Sequence, residues 1–191
     1  MSAGIKHYHA GLASAYTVGG TTDATNQTVF HLSTSASTFT DGWIELPAHS
    51  LKKGDLFHCF AVVDCPSTNS TDTLTLKAYI GPESAPKTGI LVCDQAAIDV
   101  ANDDEIALSF WIACEEVGAG STARFSAGGL SWADAVTAVS KTNSKTTTDA
   151  QVDTAADNVI ALTGTWSVSS ASNSARLRSF HCIKYPAQIS K

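Results

Sequence analysis

Short runs of alternating apolar and polar residues dominate the chain from about residue 28 onward. The clearest run is residues 73–80, in which Leu74, Leu76 and Ile80 fall on one side and Thr, Lys and Tyr residues on the other. A period of two places alternate side chains on opposite faces of a strand, so this run predicts a half-buried β-strand. Residues 105–116 repeat the pattern and predict a second such strand.

Gly, Pro, Asn and Asp residues separate further runs of strand length. We predict these strands at residues 28–32, 42–47, 56–65, 89–93, 97–100, 123–127, 136–139, 158–167 and 175–185. About ten short strands without a long helix favour an all-β fold, either an antiparallel β-sandwich or a barrel.

Three segments do not follow the strand pattern. Residues 1–27 are rich in Gly, Ala, Ser and Thr and predict an extended N-terminal arm with one short strand, ahead of a single domain at 28–191. Residues 140–157 are polar and rich in Thr and Asp, and their length predicts a surface loop. Residues 118–123 fit the loose dinucleotide pattern G-x-G-x-x-A, but no helix follows them, so we interpret them as a hairpin loop.

Composition and charge narrow the function classes. The chain has 191 residues, 43% of them apolar and 16% charged, and a net charge of −6, which suits one domain that needs neither metal nor disulfides to fold. Ser and Thr number 44 and Ala 28, so the surface is expected to carry small neutral side chains. Twelve basic residues against 18 acidic ones leave no basic stripe for nucleic acid.

Membrane insertion and export are not expected either. No stretch approaches about 18 consecutive apolar residues, the length of a membrane-spanning helix. The first residues lack a basic region followed by an apolar one, so they do not form a signal peptide. We therefore expect a protein made in a cytosol.

The cysteines and histidines allow limited chemistry. Five widely spaced cysteines without a C-x-x-C motif predict free, buried thiols rather than a disulfide framework. The pairs His58-Cys59 and His181-Cys182 are alike, and their thiols or imidazoles would meet if the two strands were neighbours. His7 and His9 lie on one side of an extended segment, but no third ligand is indicated, so we predict no metal and no cofactor.

We expect no enzymatic activity. The G-x-S-x-G elbow, the H-E-x-x-H zinc motif and the phosphate-binding Walker loop are all absent. The acidic pairs 103–104 and 115–116 lie at strand ends, where carboxylates are usually solvated. A carbohydrate-active enzyme with two facing carboxylates from distant positions stays open as an alternative.

Trp111 is the aromatic residue whose position is most informative. It lies opposite the apolar stripe of its strand, so it belongs either to a second buried layer or to a surface that contacts a partner.

Residues 43–55, 72–81, 158–167 and 173–178, with the Tyr185-Pro186 ending, resemble small virion proteins of tailed bacteriophages, especially those of marine and cyanobacterial hosts. The resemblance covers about residues 40–186 and rests on strand and turn patterns. It implies a jelly-roll form of the β-sandwich and a non-enzymatic structural role. The role it favours is a capsid decoration (cement) protein on the capsid exterior, a homotrimer whose partner is the major capsid protein.

Four residues are then expected to contact the capsid or neighbouring subunits, namely Ile5, Tyr8, Tyr16 and Trp111. The three in the arm would lie across a neighbouring subunit, as an added strand or strap. The alternative is a tail or fibre protein that binds a host glycan, which predicts exposed aromatic and carboxylate side chains in the loops 66–72 and 140–157.

Overall fold

A computed structural model describes residues 6–9, 16–19, 28–29, 43–68, 71–120, 122–133, 136–147, 152–168, 170 and 172–187. Side chains are described from residue 43 onward, except within 132–147. All described strands pair antiparallel and form two sheets, which confirms the all-β sandwich.

The first sheet has seven strands. They are β1 (Lys6–His9), β2 (Tyr16–Gly19), β5 (Leu56–Ser67), β9 (Asp104–Glu116), β10 (Arg124–Ala133), β11 (Val136–Thr147) and β13 (Ser174–Tyr185). Their order is β1-β13-β5-β9-β10-β11, and β2 also pairs with β13. Three consecutive strands, β9 to β11, form a meander in this sheet. The jelly-roll form of the sandwich stays a prediction.

The second sheet has six strands. They are β3 (Thr28–Val29), β4 (Trp43–Leu46), β6 (Thr73–Pro82), β7 (Ile90–Asp94), β8 (Ile98–Asp99) and β12 (Asn158–Trp166). The order is β3-β12-β6-β7, with β4 also paired to β12 and β8 to β6. A single turn of 3₁₀ helix (Pro86–Thr88) links β6 to β7.

One continuous apolar core lies between the two sheets. The seven-stranded sheet contributes the aromatic rings of Phe57, Phe110, Phe125 and Phe180, and the six-stranded sheet contributes Trp166. The two alternating stripes predicted from the sequence are confirmed: the residues on one side of β6 and β9, from Leu74 to Ile80 and from Ile106 to Cys114, are fully buried. Trp43, Val159 and Ala161, from β4 and β12 of the six-stranded sheet, form a second, smaller buried cluster.

The loop predicted at 140–157 is wrong for its first half. Residues 140–147 continue β11, which pairs with β10 from Phe125↔Thr147 to Ala133↔Val136. β11 is the last strand in the order of its sheet, and an edge strand tolerates polar residues that would be costly in the core. Threonine is β-branched and favours strands, so a Thr-rich composition does not by itself indicate a loop.

Within the predicted arm the structure has two strands where one was expected. β1 pairs with β13 through residues 181–184 and β2 through residues 174–177, on the opposite side of β13 from β5. The division into an arm at 1–27 and a domain at 28–191 stays a prediction. The hairpin loop predicted at 118–123 is confirmed, because β9 and β10 are consecutive antiparallel strands.

In the described part of the chain, no helix is both long enough and apolar enough to cross a membrane.

Candidate functional site

The outer face of the seven-stranded sheet carries an ordered array of twelve residues, three from each of four strands. Strand registry aligns them in three rows across β13, β5, β9 and β10. The first row is Tyr185, Leu56, Ala113 and Ser126; the second is Ile183, His58, Trp111 and Gly128; the third is His181, Phe60, Ser109 and Leu130. We call these twelve residues the outer-face patch.

The outer-face patch contains no Asp, Glu, Lys or Arg. Four of its apolar residues are well exposed, with 39% of Leu56, 40% of Trp111, 40% of Leu130 and 38% of Tyr185 accessible. Neighbouring strands are about 4.8 Å apart and alternate residues about 7 Å apart, so the patch measures about 14 Å by 14 Å. The four exposed apolar side chains thus lie within one small area and are not scattered singly over the surface, which makes this area a candidate interaction site.

Trp111 lies at the centre of the patch, against Gly128 on the next strand. A Cβ atom at residue 128 would lie 3.2 Å from Cζ2 of the indole and 3.3 Å from Cε2 and Nε1. The glycine therefore leaves the space in which the indole packs against the sheet. The sequence allowed either a buried or an exposed position for Trp111, and the structure places it on the exposed face.

Two histidines supply the polar character of the patch. His58 Nε2 lies 2.8 Å from the Ser109 hydroxyl, within hydrogen-bonding distance. The His181 ring lies beside Phe60, with 5.3 Å between ring centroids and 40° between ring planes. The two imidazoles thus have different neighbours. The outer-face patch combines exposed aromatic rings with a few hydrogen-bonding groups.

Charged residues lie beyond the two ends of the patch. At one end, Arg176 and Arg178 both donate to the nearly buried carboxylate of Asp64, and the hydrogen bond from Arg176 raises the pKa of its own guanidinium. At the other end, Arg124 pairs with Glu115 at 3.4 Å and Glu116 at 3.6 Å. The patch is therefore an uncharged area between two clusters of paired charges.

A separate cavity of about 270 Å³ lies at one end of the six-stranded sheet, where β4 and β6 end and β12 begins. Three acidic residues line it, Glu45, Glu83 and Asp157, together with Leu46, Pro47, Asn158 and Val159. Asp157 is already used, because its carboxylate accepts a hydrogen bond of 2.8 Å from the Ala48 amide. Among the described residues, no group of three or more His, Cys, Asp or Glu side chains is arranged to hold a metal ion.

The four predicted contact residues have different outcomes. Trp111 lies in the outer-face patch. Tyr8 and Tyr16 belong to β1 and β2, where they pair with Cys182 and Leu177, but their side chains lie outside the described set. Ile5 lies outside the described residues altogether, and the His7 and His9 side chains also fall outside it.

The predicted free, buried thiols are confirmed for all five cysteines. Burial, with the nearby carboxylates Asp64 and Asp104, raises the pKa of Cys65 to about 12, and burial with Asp55 raises that of Cys114 to about 11. Such thiols stay protonated at neutral pH and are poor nucleophiles. The two His-Cys strands are indeed neighbours, and the thiols of Cys59 and Cys182 meet.

Sequence reasoning missed Leu56, Phe60, Leu130 and Tyr185. A signal was present in residues 56–63, where Leu56, Phe60 and Val62 add apolar side chains to the outward positions that a solvated strand would fill with polar ones. Their alignment with β9 and β13 depends on registry between distant segments, which a single strand pattern does not contain.

Comparison with known proteins gives no family. No protein family and no curated protein matches the sequence. The xylan β-1,4-xylosidase of Bacillus halodurans C-125 is similar over 74% of this chain, with 8% identity and a TM-score of 0.37; the match spans 33% of that enzyme. The CBM2 module of the evolved Dit of Lactobacillus casei BL23 phage J-1 is similar over 94% of this chain and 96% of the module, with 11% identity and a TM-score of 0.33. These scores carry no inference about function.

Proposed function

We propose that this chain is a non-enzymatic structural virion protein that attaches to other virion proteins through the outer-face patch. More specifically, we propose a decoration (cement) protein on the capsid exterior, with the major capsid protein as its partner. The observation that carries this proposal is the uncharged, partly aromatic patch on the outer face of the seven-stranded sheet. The resemblance of the strand and turn segments to small phage virion proteins is the reason for proposing that the partner is a virion protein.

The chemistry of the patch favours a protein partner. The centres of protein interfaces are depleted of charged residues and enriched in Trp, Tyr and Phe, and the patch has this composition. Trp111 and Tyr185 are residue types that often dominate the binding energy. The arginines at both ends of the patch, Arg178 and Arg124, are about half exposed and would lie at the rim of such an interface.

The size of the patch favours repeated, individually weak contacts. The patch covers about 14 Å by 14 Å, or about 200 Å². This area is well below the roughly 800 Å² that each partner buries in a standard interface. A subunit present in many copies on one shell compensates by multivalency, most simply as a homotrimer at a three-fold position. A net charge of −6 disfavours contact with packaged DNA, which suits an external position.

One observation favours a second function, binding of a host glycan by a tail or fibre protein. The exposed Trp111 indole lies in the same row as His58, whose imidazole is within hydrogen-bonding distance of Ser109. An aromatic face with a few fixed polar groups is a common form of small-ligand site. The loops give this function only part of what it requires: Asp157 is an exposed carboxylate, but Asp72 is buried and accepts a hydrogen bond from Asn173, and neither loop contains an aromatic residue.

Binding of the purified protein to phage heads assembled without it separates the two functions. We expect saturation at a fixed, large number of copies per shell and greater resistance of the shell to heat. The double variant Trp111→Ser/Leu130→Ser should bind at least about tenfold more weakly, because it removes two exposed apolar contacts. The matched control is Val168→Ser, which changes a residue that is 47% exposed but lies outside the patch.

Absence of binding to heads would overturn the cement proposal, and so would equal binding by the double variant and wild type. Glycan binding that is lost in Trp111→Ser, without binding to heads, would establish the second function instead.

A further inference from the structure

Cys59 of β5 and Cys182 of β13 face each other across two neighbouring strands. They are direct partners in the antiparallel registry, and their sulfur atoms lie 2.9 Å apart. Both side chains are buried, on the core side of the sheet. The sequence separation of 123 residues means that only the folded sheet brings these thiols together.

The strand geometry suits a covalent bond. Directly opposed residues of an antiparallel pair have Cα atoms about 4.5–5.5 Å apart, which falls within the range that disulfides span. A disulfide bond is about 2.0 Å long, so the two sulfurs need to approach by less than about 1 Å. We propose that Cys59 and Cys182 are a modification site, at which an intramolecular disulfide joins β5 to β13 when the protein meets a small-molecule disulfide as oxidant.

The reaction balances as a thiol–disulfide exchange. One cysteine loses its proton, and its thiolate attacks a sulfur of the oxidant, which releases one small-molecule thiol and leaves a mixed disulfide. The second cysteine thiolate then attacks the protein sulfur of that mixed disulfide and releases the second small-molecule thiol. Two protein thiols are oxidised, and one small-molecule disulfide is reduced to two thiols.

Burial decides when this exchange takes place. Burial raises the pKa of the Cys59 thiol well above its ordinary value, with Cys182 as a further cause, so the reactive thiolate is scarce in the folded protein. The oxidant also has no path to sulfurs this deep in the core unless β13 opens. Oxidation is therefore expected outside a reducing cytosol, when β13 opens locally or when the unfolded chain refolds in the presence of the oxidant.

The strand registry favours a disulfide between Cys59 and Cys182 over one between other cysteines. In the described strands, Cys65 pairs with Asp104, Cys114 with Phe125 and Cys93 with Ala78, so none of these three has a cysteine as its partner in these strand pairs. Cys93 of the opposite sheet is the main competitor, since it is close enough to contribute to the raised pKa of Cys59.

The test is oxidative refolding of the full chain. Protein refolded from denaturant with oxidised glutathione should lose about 2 Da, the mass of two hydrogen atoms. Non-reducing peptide mapping should find the peptides of Cys59 and Cys182 joined. The oxidised protein should also unfold at a higher temperature than the reduced one, because the cross-link restricts the unfolded chain.

Two variants provide the controls. Cys65→Ala removes a buried thiol elsewhere in β5, and this variant should still lose about 2 Da on oxidative refolding. The mass of Cys182→Ala should be the same before and after oxidative refolding. Five alkylatable thiols in wild-type protein after oxidative refolding would overturn the proposal, and so would a map that joins Cys59 to Cys93. Both results come from wild-type protein, so they do not depend on the folding of a variant.

Discussion

The ammonium group of Lys184 lies 2.6 Å from the carboxylate of Asp55, in an ion pair whose side chains are only 7% and 1% exposed. Asp55 also accepts hydrogen bonds from the Lys52 and Ala187 amides, and Lys184 donates a second one to the Ser50 carbonyl. The pair thus connects the turn before β5 to the end of β13.

Replacing Lys184 with Met should lower the free energy of unfolding by about 3–5 kcal/mol, since it leaves the Asp55 carboxylate buried without its cation. Urea unfolding measures the change. Lys77→Met is the control, because its partner Asp94 is 3.5 Å away and both side chains are partly exposed. A loss below about 1 kcal/mol is expected there. Equal losses in the two variants would contradict the role of the buried pair.

Gly89 lies where two backbone segments touch. A Cβ at this residue would meet the Ile80 carbonyl oxygen at 2.1 Å and the Gly81 Cα at 2.4 Å. Gly89→Ala should therefore lower the free energy of unfolding by about 1–3 kcal/mol, because backbone atoms must move.

The control is Gly120→Asn in the β9–β10 hairpin loop, where φ is +67 and no atom lies within 4 Å of the place that a Cβ would take. Asn tolerates this left-handed conformation, so the stability of the variant should stay within about 0.5 kcal/mol of wild type. Thermal unfolding of both variants checks the pair of expectations.

Alkaline pH should destabilise the fold in a defined window. Cys65 and Cys114 have an ordinary pKa of 9.0 that rises to about 12 and about 11 in the folded protein. The unfolded chain loses these protons first, so the stability is fully present below pH 9 and falls as the pH rises towards the folded values. Each thiol should contribute a loss of about 1.4 kcal/mol per pH unit.

Urea midpoints between pH 8 and pH 10.5 measure this slope. Cys65→Ala should reduce it, whereas Val63→Ala, which shortens another fully buried side chain of β5, should lower stability without changing the slope. An unchanged slope in Cys65→Ala would show that the Cys65 thiol does not cause the loss of stability at alkaline pH.

Gly128→Ala tests how the Trp111 indole is held. The added Cβ would lie 3.2 Å from the ring, so the indole must move by a few tenths of an ångström within the outer-face patch. We expect binding to phage heads to weaken, by less than the roughly tenfold loss expected when the Trp111 side chain is removed, with little change in the urea midpoint because the ring lies on an exposed face. Full binding by a stable Gly128→Ala protein would show that the position of the indole does not matter.

Strand alternation was enough to predict much of the sandwich. The runs around Leu74 and Ile106 each bury one face, and their periodicity follows from that difference. The start of β11 was predicted at 136–139, but its continuation over 140–147 was missed, because an edge strand need not bury a stripe and the sequence from Lys141 to Thr147 contains only polar residues. Polar composition was therefore a poor guide to loop structure at the sheet edge.

The candidate site was predictable only in part. Trp111 could be selected because it opposes an apolar stripe within one strand, and the likeness of the two His-Cys pairs hinted at the meeting of Cys59 with Cys182. The adjacency of Tyr185 and Leu56 could not be found in the same way. It depends on registry between segments more than 120 residues apart, and that registry is fixed by the whole fold.

The position of β13 also bears on how the chain is made. This strand lies between β5 on one side and β1 and β2 on the other. Three strands from the first 67 residues therefore pair with a strand that is synthesised much later, at 174–185. On the ribosome, β5 and β9 can pair early, but the edge of β5 that β13 later covers stays open until residue 185 has emerged. Such late, long-range pairing slows folding and leaves a strand edge open to other nascent chains. This open edge of β5 is therefore the part of the nascent chain most exposed to aggregation.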